Sequence, residues 1–292
     1  MAQLIGLAVA ISYSPKIVSI SLESGETINK TTYDLPFGLN PPSEVNVGAS
    51  LISIIIALFI AVMLMLLLMK IKAEFLLRAW FFFVIILALS ISINAFLPSR
   101  SFSSLLAVAI AVPFAVLKVF KRNIIIHNLT ELLIYPGIAV IFIPILSIWT
   151  AVLLFVLISI YDIYAVWHSG FMQKMAKYQI KKVKVFSGFF VPYIGKKERK
   201  LIEAMRGKSK KSISKKIKIS VALLGGGDIV FPIILAGVVL NTLGLAQALI
   251  ISLGATLALA YLLYISEKGK FYPAMPFISA GCFIALGIAY LI

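Results

Sequence analysis

Apolar residues fill this chain in long unbroken runs, separated by short polar punctuation and by one long polar stretch after residue 167. Several runs hold about 20 uncharged residues, enough to cross a hydrocarbon core of ~30 Å as a helix. They predict nine spans, at 1–21, 47–69, 79–97, 101–117, 124–143, 148–167, 217–240, 243–265 and 273–292. The runs are continuous rather than alternating, which excludes a transmembrane β-barrel. The expected fold class is therefore all-α, a polytopic membrane protein with about nine transmembrane helices. The first span is the shortest in apolar content, because Pro15 and Lys16 interrupt it. Ala8-Val9-Ala10 loosely matches a signal-peptidase site, but no basic segment precedes it, so a span is the preferred reading. The polar stretch divides the chain into a six-span section at 1–167, a basic loop at 168–216 and a three-span section at 217–292. Within the loop, "GKKERKLIEAMRGKSKKSISKK" reads as flexible or surface-lying, and "VFSGFFVP" as a segment that dips into the interface. No internal repeat is evident, which weighs against an inverted-repeat transporter.

Composition reinforces this picture. The chain is 61% hydrophobic over 292 residues, with a mean hydropathy of +1.06. Its single cysteine, Cys282, lies in an apolar run, so a disulfide and a cysteine-ligated metal are both excluded. The net charge of +16 invites a nucleic-acid reading, but its distribution points elsewhere. Segments 70–78, 118–122, 168–218 and 266–272 hold 24 of the 27 Lys and Arg residues. The alternate connections hold only Lys16, Lys30 and Arg100, beside Glu23, Glu26, Asp34 and Glu44. That alternation is the signature of membrane orientation. With nine spans it predicts a cytoplasmic N-terminus and an extracytoplasmic C-terminus in a cell membrane. The basic excess then serves topology and attraction to anionic lipid headgroups, with no nucleic acid as partner.

Three acidic residues lie inside the apolar spans: Glu131, Asp162 and Asp228. Glu131, one turn after His127 and near a basic loop, reads as a boundary residue. His127 and His168 read as interfacial side chains, since no further nitrogen or sulfur ligand is at hand. The aspartates differ. Asp162 precedes Lys174 by 12 residues and Asp228 follows Lys218 by 10, which places both ~15–18 Å from the cytoplasmic boundary. They are on consecutive spans and can face each other. A carboxylate at that depth costs roughly 2.5–3.5 kcal/mol unless paired or wet. Apart from Lys16 and Lys218, near the ends of the first and seventh spans, no Lys or Arg falls within the spans to pair with them. Hydrogen-bonded helix glue and proton or cation translocation are two readings. The third is a carboxylate dyad, in which two close groups share one proton and titrate as a pair. The charged member takes a proton from water while the neutral member donates to a carbonyl oxygen. No zinc-ligand constellation is present, so no metal is expected.

Two other strings surround these residues. In "LLGGGDIVFP", Gly225, Gly226 and Gly227 together cost a helix ~2–3 kcal/mol relative to alanine. Pro232 has no N–H for the carbonyl of Asp228 and crowds it. Both loosen the backbone at Asp228, which is tolerated at depth only inside protein or beside a wet cavity. In "FYPAMPFISAG", Pro273 can open a helix, while Pro276 keeps Met275 away from the α region, so the segment is expected to be extended. Tyr161 lies about 100° around its helix from Asp162, whereas Ser159 and Val166 share the Asp162 face better.

Tyr161-Asp162, Gly225-Gly226-Gly227-Asp228 and Pro273-Ala274-Met275 resemble the YD, GxGD and PAL motifs of presenilin and signal peptide peptidase. They occur in the family's order, on the sixth, seventh and ninth expected spans. GxGD alone is a weak signal, because prepilin peptidases share it. Met275 departs from the family's leucine by a near-isosteric change. The resemblance implies a presenilin-like fold and an intramembrane aspartyl endopeptidase that cleaves within transmembrane segments. It implies Asp162 and Asp228 as the catalytic pair and no cofactor. Gly225, Gly226, Gly227, Pro273, Ala274 and Met275 would then shape the substrate site, with Tyr161 and Pro232 in support. "YDIYAVW" and "PAMPFISAG" look closer to presenilin, and "GDIVFP" closer to signal peptide peptidase. The basic loop runs the sixth span from outside to inside, as in presenilin. That orientation implies substrate helices with an outside N-terminus, alongside membrane lipids as partners, and it leaves room for a homo-oligomer. A proton- or cation-translocating transporter or channel using the same carboxylates stands as the alternative.

Overall fold

A computed structural model describes residues 1–21, 27–39, 41, 47–98, 102–121, 123–168, 175, 178–183, 185–193, 220–266 and 271–292. The tract 195–216, expected to be flexible or surface-lying, falls outside the described residues. Among the described residues there are nine α-helices and four strands. The helices are α1 (Ala2–Ser12), α2 (Val47–Lys70), α3 (Glu74–Asn94), α4 (Ser103–Phe120), α5 (Ile124–Phe142), α6 (Ile148–Trp167), α7 (Gly227–Thr242), α8 (Leu245–Ile265) and α9 (Met275–Leu291). Strands β1 (Lys16–Ser21) and β2 (Thr27–Thr32) form an antiparallel hairpin. Strands β3 (Gly188–Tyr193) and β4 (Ser220–Gly225) form a second antiparallel pair. α2, α3, α4, α5, α6 and α8 are each long and apolar enough to cross a membrane.

Local chemistry sets the helix ends. Asn123 caps α5 by accepting the N–H of Ile125. Ser147 and Thr150 exchange side-chain and backbone bonds in a capping box that starts α6. That box is why the fifth and sixth apolar runs, nearly continuous in sequence, part at this point. α8 and α9 approach until a Cβ on Gly254 or Gly281 would strike the facing backbone, the close contact that small residues allow between membrane helices.

Two expected spans need correction. The first does not continue as a helix to residue 21. α1 has 11 residues and β1 follows it from Lys16. At 1.5 Å per residue α1 is ~17 Å long, short of a full crossing. It packs against α5 and α7, with Leu7, Val9 and Ala10 buried. The seventh span does not begin near 217, because 220–225 are strand β4 and the helix starts at Gly227. The apolar string "SVALLG" suits a buried strand as well as a helix, and periodicity alone cannot separate them. "VFSGFFVP", expected at the interface, supplies β3, the partner of β4.

Helix α7 sits at the centre of the molecule. Ile233, Leu235, Ala236 and Val239 on it are fully buried. It touches α1, α5, α6, α8 and α9, so side chains from before and after the basic loop join one core. A helix 16 residues long and apolar all round is stable here because other helices surround it.

Candidate active site

α6 carries its functional residues on one buried face. Phe155, Ser159 and Asp162 recur at helical spacing and all are buried. Phe155 meets Phe231 of α7 edge-on, with ring centroids 6.2 Å apart. Phe231 lies one turn after Asp228, so this contact draws the two aspartate-bearing helices together. The two carboxyl groups are close enough to interact electrostatically.

The third motif closes on the same point. Residues 271–274 are non-helical and α9 begins at Met275. Met275 donates its backbone N–H to Oδ2 of Asp162 at 3.0 Å. Pro273, Ala274 and Met275 are all buried. The expected extension is not met at Ala274 or Met275: Ala274 caps the helix with αR backbone angles (φ −83°, ψ −35°), and Met275 is the first residue of α9. Pro276 falls in the first helical turn, where its missing N–H has no helical partner to lose. One turn further on, the hydroxyl of Ser279 meets that of Ser159 at 2.8 Å, both buried. This bond pins α9 to α6 beside Asp162.

The glycine string spans the junction from strand to helix, with Gly226 already at helical angles (φ −65°, ψ −33°). Gly225 ends β4, Gly226 is a bend and Gly227 starts α7. Asp228 thus stands in the first turn of a helix, half-buried, at the positive end of the helix dipole. A Cβ on Gly225 would lie 3.1 Å from Asp228 Oδ2, and one on Gly226 would strike the ring of Tyr135. Gly227 has room for a Cβ. Pro232 is buried inside α7, leaving the Asp228 carbonyl without its helical donor. Tyr161, by contrast, is 47% exposed and lies off the Asp162 face. The structure therefore gathers Asp162, Asp228, Gly225, Ala274 and Met275 at one place and leaves Tyr161 to one side.

The β4 edge adds a feature. Asn128 of α5 bonds both backbone groups of Phe190 in β3, donating Nδ2 to its carbonyl at 2.9 Å and accepting its N–H at 3.0 Å. Phe190 opposes Leu223, so these are not a hydrogen-bonded pair of the ladder. Val221, Leu223 and Gly225 accordingly turn their backbone groups away from β3. Leu223 is 40% exposed.

Several residues here escape sequence reading. Glu131 is not a boundary residue: it is 1% exposed and ion-paired with Lys118 at 2.5 Å. Lys118, assigned to a basic loop, is in the last turn of α4 and is equally buried. His127 is not interfacial; it is buried, with Nε2 2.8 Å from the Gly188 carbonyl. His168 is exposed and stacks on Tyr164. Ser279 left a signal, a polar residue one turn after Met275 in an apolar run. Among the described residues no three His, Cys, Asp or Glu side chains are placed to hold a metal ion.

Known proteins share the family and the fold of this chain. The family profile described as "Signal-peptide peptidase, presenilin aspartyl protease" matches residues 38–292. A solved presenilin family intramembrane aspartate protease in space group C222 is similar with a TM-score of 0.57 at 18% identity, covering 100% of this chain and 94% of that one. A structure of a presenilin family intramembrane aspartate protease in space group P2 is similar with a TM-score of 0.56 at 17% identity, covering 99% of this chain and 96% of that one. At such identities the likeness speaks for the fold. A search of curated proteins gave no match.

Proposed function

The chain belongs to the signal-peptide peptidase and presenilin aspartyl protease family, and from that premise we propose that Asp162 and Asp228 are its catalytic pair. The protein is a multi-pass membrane protein and an intramembrane aspartyl protease. One observation carries the assignment of the pair. Asp162 accepts the Met275 N–H, and its helix packs through Phe155 on Phe231, one turn from Asp228, which supports a meeting of the three motifs at one pair of carboxyl groups.

The chemistry follows from a shared proton. The ionised carboxylate takes a proton from water, and the water oxygen bonds to the carbonyl carbon of the scissile peptide. The protonated partner gives its proton to the carbonyl oxygen, forming a neutral gem-diol. Collapse breaks the C–N bond: the carboxyl group that took the water proton gives it to the departing nitrogen, while its partner carboxylate takes a proton from a gem-diol hydroxyl as the product acid forms. The pair is left with one proton for the next cycle.

A peptide bond within a helix is shielded, so the substrate has to unwind and its freed backbone groups need partners at depth. The outward edge of β4 at Val221, Leu223 and Gly225 supplies them by strand addition. The backbone at Pro273, Ala274 and Met275 forms the opposite wall. Gly226 and Gly227 make the turn that delivers Asp228, and Pro232 loosens the backbone behind it. The distribution of Lys and Arg places the N-terminus of the sixth span outside, which favours substrates with an outside N-terminus.

The test is incubation of purified protein in detergent with a single-span substrate. Two fragments are expected, with new termini inside the apolar segment, and a hydroxyl-bearing transition-state mimic should suppress them. Ion flux in vesicles with no peptide product would overturn the reading.

A further inference from the structure

The β3–β4 sheet has two strands, but β3 is bonded along both edges. The edge facing away from β4 is closed by side chains of one turn of α5. Asn128 bonds both backbone groups of Phe190. Two residues earlier, Gly188 donates its N–H to Oε1 of Glu131 at 3.3 Å, and its carbonyl meets Nε2 of His127 at 2.8 Å. A side-chain amide has the donor and acceptor of a peptide group, so Asn128 does for Phe190 what a third strand would do. Lys118 holds Glu131 from behind. Upstream, Arg78 of α3 donates Nε to the carbonyl of Val183 at 3.0 Å. Gly188 fits this clamp at φ 154°, a conformation side-chain-bearing residues rarely adopt, and a Cβ there would run into the Leu224 carbonyl.

Register is what the clamp fixes. The inner face of the sheet packs Phe189 on Tyr135, two turns along α5 from Asn128, with centroids 5.6 Å apart. The Tyr135 ring is also the neighbour a Cβ on Gly226 would meet. α5 thus holds β3 at Phe190 and the turn after β4 at Gly226. A slip of one residue between the strands would turn every side chain to the other face. A slip of two would carry Gly225 about 7 Å along the sheet. Short two-stranded sheets resist such slips poorly on their own.

We propose that Asn128 is a specificity-determining positioning residue: by fixing the register of β3, and through it β4, it sets which substrate peptide bond lies at Asp162 and Asp228. This rests on the dyad and strand-addition reading above. Asn128 touches neither carboxylate and acts through the strand.

The experiment compares wild type, Asn128→Leu, Asn128→Asp and Asp162→Asn on one single-span substrate. Product termini are read by mass spectrometry, and kcat is normalised to sites titrated with a transition-state mimic. Asn128→Leu keeps the shape and loses both bonds. Cleavage at the wild-type bond should fall about 10- to 100-fold per titrated site, with new termini within two residues on either side. Asn128→Asp keeps the acceptor for the Phe190 N–H and loses the donor, so the same spread of products is expected, and it replaces the leucine variant if that one does not fold. A single product at the wild-type bond, with wild-type kcat per titrated site, would overturn the inference and leave Asn128 as a stability residue. Cleavage by Asp162→Asn would instead overturn the dyad, whatever the Asn128 variants do.

Discussion

Gly225 shows how narrowly the site is built. Its backbone is not in the left-handed region, so a strand-forming residue fits its conformation. The obstacle is space, because a Cβ would crowd Asp228 Oδ2 at 3.1 Å. Gly225→Val should therefore fold and purify normally, yet cleave about 10- to 100-fold more slowly, the cost of displacing a reacting group by around an ångström. Specific activity against a size-exclusion profile checks this, and a wild-type rate would mean the carboxylate has room to spare. The two aspartates were legible in the sequence because an unpaired carboxylate among apolar residues demands a reason. Glu131 was misread because its partner, Lys118, lies one residue beyond the end of the expected fourth span. An ion pair between two helices leaves no mark in either string alone.

At the scale of elements, α2 to α6 and α8 stand close to the apolar runs that predicted them. β3 and β4 do not, and the reason is physical. Each is a six-residue segment whose partner lies across a loop that carries no pattern. Short apolar segments are ambiguous between helix and strand until a partner is known. What holds the pair in place is also long-range: the buried Lys118–Glu131 pair ties α4 to α5 and presents Glu131 to Gly188. Lys118→Met should destabilise the protein by about 3–5 kcal/mol, because it strands a buried carboxylate. Lys118→Met with Glu131→Gln should recover most of that, since glutamine still accepts the Gly188 N–H. Thermal unfolding in detergent separates the two, and equal transitions for wild type and Lys118→Met would contradict the pairing. Pro273→Ala bears on the other wall. Alanine permits helix where residues 271–274 are non-helical, so substrate turnover should fall with little change in the unfolding temperature. Unchanged turnover would show that Pro273 merely precedes the helix.

Across the whole molecule, long apolar helices surround a short, buried α7. The short helices fit this plan: α7 is buried in protein, α1 buries the face that carries Leu7, Val9 and Ala10, and the strands satisfy backbone that no helix covers. The proposed orientation rests on the distribution of Lys and Arg alone and is open to direct test. A cysteine at Thr31, in the β2 hairpin, should react with an impermeant reagent only from outside, and one at Ser209 only from the cytoplasmic face. The reverse pattern would remove the outside N-terminus assigned to substrates. The central claim is that two carboxyl groups, brought together by α6 and α7 and braced by the start of α9, act as one acid–base pair. The most direct measurement is cleavage of a single-span substrate by purified wild type, Asp162→Asn and Asp228→Asn, each shown to be folded by its unfolding transition. Peptide products from the wild type and none from either variant are the expected result; sustained cleavage by either variant would contradict the account.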